Sequence, residues 1–254
     1  MAVAKNPGTG GTFSADLPAL ASKEAALGRH RSSFARLVFV IMAKDLRAEL
    51  RTKEAVNASL AFAVVILILF NFAFDLDDPA TRTIVGGLLW LVFAFAGTLV
   101  LNRSFARELP NDCLDALVAA PISGAALFLG KALANYVLVL AVELVSLPVF
   151  GIFYNVWFPF GQMLVVLALG TWGITVIGTV FSALTVNIRL REVMLPMLTY
   201  PMLVPALMAA MVMTAELAAG TAIWNQQTWL KLLVGFDVLY TAAAVALVET
   251  VLVG

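Results

Sequence analysis

Charge, cysteine and histidine are all scarce in this chain. Of its 254 residues 13% are charged, one is a cysteine (Cys113) and one a histidine (His30). A soluble globular chain carries about 25% charged residues, so an ordinary soluble enzyme is excluded. One cysteine cannot build a disulfide scaffold. Because His30 lies near the N-terminus, the apolar segments can form no histidine-ligated metal or haem site and no Ser/His or Cys/His catalytic pair. The 16 basic residues are balanced by 16 acidic ones, which argues against a nucleic-acid binder. Apolar residues are what the chain has in excess, 62% of the total, with a mean hydropathy of +0.97. At about 20 residues per membrane span, that supply suits about six spans and leaves little for an aqueous domain.

Residues 1–33 stand apart as a flexible extension. Residues 5–12 (KNPGTGGT) are Gly-rich, and no apolar signal-peptide core follows them. Residues 34–54 then place Phe34, Leu37, Val38, Ile41, Met42, Leu46 and Leu50 at helical spacing, with Lys44, Arg47, Arg51 and Lys53 as a basic face. This pattern predicts an amphipathic helix lying in the membrane interface, its basic side toward anionic lipid headgroups. Six apolar segments follow, at residues 56–74, 84–101, 122–150, 160–186, 193–215 and 232–253. The fold class expected is all-α integral membrane, with 34–254 as one six-span domain.

Orientation follows from the basic residues beside the spans. Nine fall between Lys5 and Lys53; Arg103, Arg107, Lys131, Arg189 and Arg191 lie on the same side, and only Arg82 and Lys231 oppose them. Both termini are therefore expected in the cytoplasm. Asp75, Asp77 and Asp78 mark the outer side, and Tyr154, Trp157, Trp224 and Trp229 flank its loops as an interfacial belt.

Few residues offer chemistry. Residues 124–131 (GAALFLGK) imitate a phosphate loop, but five residues separate the glycines and Ala132 follows the lysine, so the device for binding ATP is missing. Six methionines between Met194 and Met213 read as adaptable packing rather than haem ligands. Glu143 lies about 18 Å along a helix from Lys131, deep in the hydrocarbon, where it must face protein or water or carry a proton. Two readings stand for it: a substrate or gating residue, or a buried hydrogen-bonded strut. Asp237 and Glu249 are also candidate intramembrane residues, read as interfacial or helix-pairing. Pro196, Pro201 and Pro205 in span five predict a kinked or broken helix, either a deformable element along a pathway or a static kink.

The loop between spans two and three is the most informative. Pro110 and Asn111 suit a helix start with Asp112 at its positive end, and Leu114, Leu117 and Val118 form an apolar stripe ended by Pro121. Glu108, Asp112 and Asp115 would be repelled by an anionic leaflet, so this short helix is shaped for a groove on another protein.

Taken together, several segments resemble the cytochrome c maturation protein B family, the membrane permease of an ABC haem-exporter system. They are residues 44–54 (KDLRAELRTKE), Leu101-Asn102-Arg103 with Phe105, residues 192–205 (EVMLPMLTYPMLVP), residues 232–240 (LLVGFDVLY, including Asp237) and Glu249. The family's loop usually reads Asp-Gly-Ser/Thr-Leu-Glu-Gln-Leu, where this chain has Asn111, Asp112, Cys113, Leu114, Asp115, Ala116 and Leu117. The resemblance implies an ABC-2-like exporter permease of the bacterial inner membrane, working as a homodimer or within a larger complex. It implies a separate cytoplasmic ATPase bound at Asp112, Leu114, Asp115, Leu117 and Val118, and haem-handling membrane proteins as further partners. The chain itself would hold no cofactor and no catalytic site: ATP belongs to the partner and haem is a cargo. Rival readings are a permease for a drug, lipid or polysaccharide, and a non-transporting scaffold of a haem-handling complex.

Overall fold

The computed structural model describes residues 34–74, 79–106, 123–186, 188 and 190–253, with the backbone alone at 79–83 and 249–253. Among the described residues seven long helices follow one another: α1 (Phe34–Thr52), α2 (Glu54–Ala73), α3 (Pro79–Ser104), α4 (Gly124–Tyr154), α5 (Phe160–Thr185), α6 (Arg191–Ala218) and α7 (Gln227–Val253), with a 3-10 turn at Ile223–Asn225. Six of them, α2 to α7, are long and apolar enough to cross a membrane. The all-α, six-span architecture expected from the sequence is therefore present. The expected extension, 1–33, lies outside the described residues.

The spans run alternately up and down. At one end, the start of α2, the end of α3 and the start of α6 line a common cleft of about 620 Å³ through Glu54, Asn102, Arg103, Arg191 and Glu192. At the other end, the Asn71 amide donates to the Phe153 carbonyl at 2.8 Å, joining the ends of α2 and α4. There too the Ile223 amide donates to Gln162 Oε1 at 2.8 Å, tying the turn after α6 to the start of α5. Such alternation follows from short connections between spans that must each satisfy their own backbone.

Local chemistry sets the helix ends. Lys53 takes the left-handed conformation (φ 54°) and turns the chain from α1 into α2. The Glu49 side chain reaches across this corner, where its Oε1 accepts from the Ala55 and Val56 amides at 2.8 and 3.0 Å. An acid at a helix N-terminus satisfies orphan donors and complements the dipole. Ser123 caps α4 by accepting from the Ala126 amide at 3.3 Å. α6 ends on Gly220 (φ 86°), with the Thr221 amide bonded to the Glu216 carbonyl at 2.8 Å and the Gly220 amide to that of Leu217 at 3.1 Å. That pair of bonds is the Schellman stop, which favours glycine at its left-handed position.

α1 does not merely lie beside the bundle: it packs along α4. Val38 and Ile41 are buried there, and a Cβ added at Gly130 of α4 would stand 2.7 Å from Ile41 Cβ. Its other apolar residues, Phe34, Phe39, Val40 and Leu50, remain exposed. The core proper sits among α3, α4, α5 and α6 around Trp90, Phe93, Phe150, Met163 and Leu167. With lipid as apolar as the side chains, interhelical hydrogen bonds and close packing hold such a bundle. Trp90 Nε1 donates to Thr214 Oγ1 at 2.9 Å, Ser182 Oγ to the Leu101 carbonyl at 2.8 Å, and Thr98 and Tyr200 share a bond of 3.0 Å.

Of the two alternatives expected for span five, a kinked or a broken helix, the structure excludes the second. α6 runs as one continuous helix from Arg191 to Ala218 with Pro196, Pro201 and Pro205 inside it, so it is not broken. Each proline frees the carbonyl one turn earlier without ending the helix, since the surrounding bonds and the packing of Leu195, Leu203 and Ala206 persist. Pro201 and Pro205 face outward, away from the core.

Candidate functional site

Polar side chains concentrate in two places. The first is the junction where α1 meets the end of α3 and the start of α4. Lys131 counts in the sequence as one of the basic residues that mark orientation, yet its side chain is fully buried. Its ammonium donates to Asp45 Oδ2 at 3.3 Å and to the Ser104 carbonyl at 3.0 Å, and sits 4.6 Å from the centroid of the Phe105 ring. Asp45 also pairs with Lys44 at 3.2 Å. One turn on, the Asn135 amide donates to Ser104 Oγ and Thr179 Oγ1, both at 2.9 Å. A cavity of about 260 Å³ opens beside this network, lined by Asp45, Glu49, Arg103, Ser104 and Asn135. Arg103 bridges to the larger cleft through its 2.6 Å contact with Glu54.

The second place lies mid-span on α5. Glu143 of α4 is buried, and Thr171 Oγ1 donates to its Oε2. Two residues along α5, Gly173 leaves room for Asp237 of α7, whose Oδ1 stands 3.1 Å from where a Cβ would be. Asp237 thus meets α5 two residues from the contact of Glu143. Between the two acids on α5, Trp172 packs edge-on against Tyr136 of α4 at 5.5 Å and donates to Thr241 of α7 at 3.0 Å. Glu143 Oε1 and both Asp237 oxygens have no hydrogen-bond partner among the described residues.

Sequence reasoning named Glu143 and Asp237 singly and missed what joins them. Buried Thr171, Thr175, Thr179 and Ser182 form a hydroxyl stripe along α5, and their four- and three-residue spacing was readable as one helix face. The pairing of Lys131 with Asp45 depends on where α1 packs, which no local pattern encodes. Glu249 falls near the end of α7, and its side chain is outside the description. The residues expected to dock a partner, Asp112, Leu114, Asp115, Leu117 and Val118, lie outside the described residues. The segment that carries them leaves α3 after Ser104 and returns at Ser123, on the end of the bundle that holds the Lys131 network.

Comparison with known proteins bears on the whole chain. The family model described as CcmB protein matches residues 36–251. A protein named heme exporter protein B from Rhodobacter capsulatus is 32% identical over 209 residues, covering 82% of this chain and 93% of the relative. Proteins of the same name from Paracoccus denitrificans and Pseudomonas aeruginosa are 29% and 26% identical, and cover 71% and 82% of this chain. The relatives are themselves covered to 83% and 93% of their length.

Proposed function

The chain belongs to the CcmB protein family, and from that premise we propose that it is the permease subunit of an ABC transporter serving cytochrome c maturation, with haem as cargo. The observation that carries this reading is the match across residues 36–251 on a chain whose described residues are spent on one interfacial helix and six spans. Such a bundle supplies a path and a moving part, and ATP hydrolysis falls to a separate cytoplasmic subunit. The names borne by the relatives support haem as the cargo. The basic end of the bundle, with Lys44, Arg103, Lys131 and Arg191, faces the cytoplasm by the positive-inside rule.

In this reading residues 107–122 carry the helix that docks on the ATPase, with Leu114, Leu117 and Val118 inserted in its groove and Asp112 and Asp115 beside them. Closure of the ATPase would push on the ends of α3 and α4, between which this segment is strung. The proline-bearing α6 is the element best suited to deform, because it lacks three backbone donors. The working unit is a homodimer or a larger assembly with haem-handling membrane proteins.

The test is purification in mild detergent with identification of co-purified chains and bound haem, alongside the L114D/L117D variant. We expect a Walker-motif ATPase in the wild-type preparation, and at least a tenfold loss of permease-stimulated hydrolysis in the variant, equivalent to about 1.4 kcal/mol or more of coupling. Full stimulation in a folded variant overturns the docking role. An ATPase whose hydrolysis-dead form still supports cytochrome maturation assigns the chain to a scaffold instead.

A further inference from the structure

The two mid-span carboxyls are unlike the other charges of the bundle. The Asp45–Lys131 and Glu54–Arg103 pairs bring opposite charges within 3.3 and 2.6 Å. Among the described residues no cation pairs with Glu143 or Asp237. The titratable groups on the packed elements are few. α4 brings Tyr136 and, about three turns away, Lys131, which is committed to Asp45 and Ser104. α5 has no charged residue at all between Phe160 and Thr185. α7 brings Tyr240 one turn below Asp237 and Lys231 above it, and α6 brings Tyr200, with its charges Arg191, Glu192 and Glu216 at its ends. On α2 and α3 the described charges, Glu54 and Arg103, stand at the end that holds Lys131.

An ionised carboxylate in such surroundings is costly unless paired, and two at one depth also repel each other. Both side chains are more than nine-tenths buried, and three of their four oxygens lack a partner among the described residues. A proton is the smallest ligand that removes the charge of either group. A line of hydroxyls leads from solvent-side space toward one of them. From the cavity beside Asn135, the stripe Thr179, Thr175, Thr171 descends α5 to Glu143, about 12 Å over eight residues. Asp237 meets the same helix two residues past Thr171, at Gly173.

We infer that Glu143 and Asp237 form a proton-binding pair inside the spans, supplied from the α1-side cavity along the hydroxyl stripe of α5. Proton uptake neutralises a carboxylate and closes the α4–α5–α7 seam; release leaves a charge there and loosens it. The inference stands whether or not the chain works with an ATPase.

Infrared difference spectroscopy of the full chain in lipid nanodiscs, stepped from about pH 5 to about pH 9, tests it directly, since exposed carboxyls titrate near 4 and lie outside that window. The expected result is a protonated-carboxyl stretch that is lost as pH rises. It should weaken in E143Q and in D237N and vanish in the double variant. Both substitutions copy the neutral acid, so the single variants keep the test open should the double one not fold. A pH-dependent band that survives in both single variants unchanged, a band that ignores pH, or no band at all overturns the inference. Unchanged deuterium uptake at that carboxyl in T175V/T179V overturns the route.

Discussion

Lys131 and Glu143 stand about three turns apart on α4, both fully buried, yet their surroundings differ in kind. Lys131 has a carboxylate, a carbonyl and an aromatic face around its ammonium. Glu143 has one threonine hydroxyl and an oxygen with no partner among the described residues. The first is a charge kept and compensated near the end of the bundle, where Asp45 and the adjoining cavity still reach solvent. The second lies where water is excluded and neutrality is the cheaper state. Position along one helix therefore decides whether a buried ionisable group holds a structure together or stays available to exchange a proton.

The difference can be broken most forcefully at Lys131. Lys131→Met leaves the Ser104 carbonyl without its donor and Asp45 with only Lys44, so destabilisation of about 3 kcal/mol is expected, the low end for a broken buried pair. Thermal unfolding in detergent measures it. Adding Asp45→Asn to that variant should recover part of the loss, because the uncompensated charge disappears too. Equal stability of wild type and K131M would mean that the pair carries no compensation, and the contrast with Glu143 would fail.

A smaller change is expected from Glu143→Gln. The amide oxygen can still accept from Thr171, and no charge is removed from a neutral acid, so stability should shift by less than about 1 kcal/mol. A loss as large as that of K131M would show that Glu143 is ionised and paired, and the two sites would then be alike.

What the sequence disclosed and what it hid divide along the same line. The six spans were legible because each is a long apolar run, and the six helices of the structure match them closely, the largest shifts being at the ends of spans. Glu143 was legible as an isolated acid in such a run. The burial of Lys131 was not legible, since counting basic residues beside spans treats each alone, while α1 packs on α4 across Gly130. That Asp237 meets α5 at Gly173, close to the contact of Glu143 with Thr171, depends on how α7 packs and was not legible. The unbroken α6 reflects a propensity rule overridden by packing on α5 and α3, where Leu203, Ala206 and Ala210 are buried. The docking segment, the boldest expectation, falls outside the described residues.

The finest test concerns Trp172, which packs between α4 and α7. Trp172 is fixed by one hydrogen bond to Thr241 and one edge-on contact with Tyr136. Trp172→Phe removes the bond and keeps a ring, and interhelical hydrogen bonds in membranes contribute about 0.6 kcal/mol on average. A loss of that order in unfolding free energy is the expected outcome, about a fifth of that expected for K131M. Its value lies in the second reading it permits. If packing of Trp172 between α4 and α7 couples Glu143 to Asp237, the variant should separate their infrared titrations while barely moving stability. If the two carboxyls titrate as in the wild type, Trp172 only packs the seam, and each acid answers to its own helix contact alone.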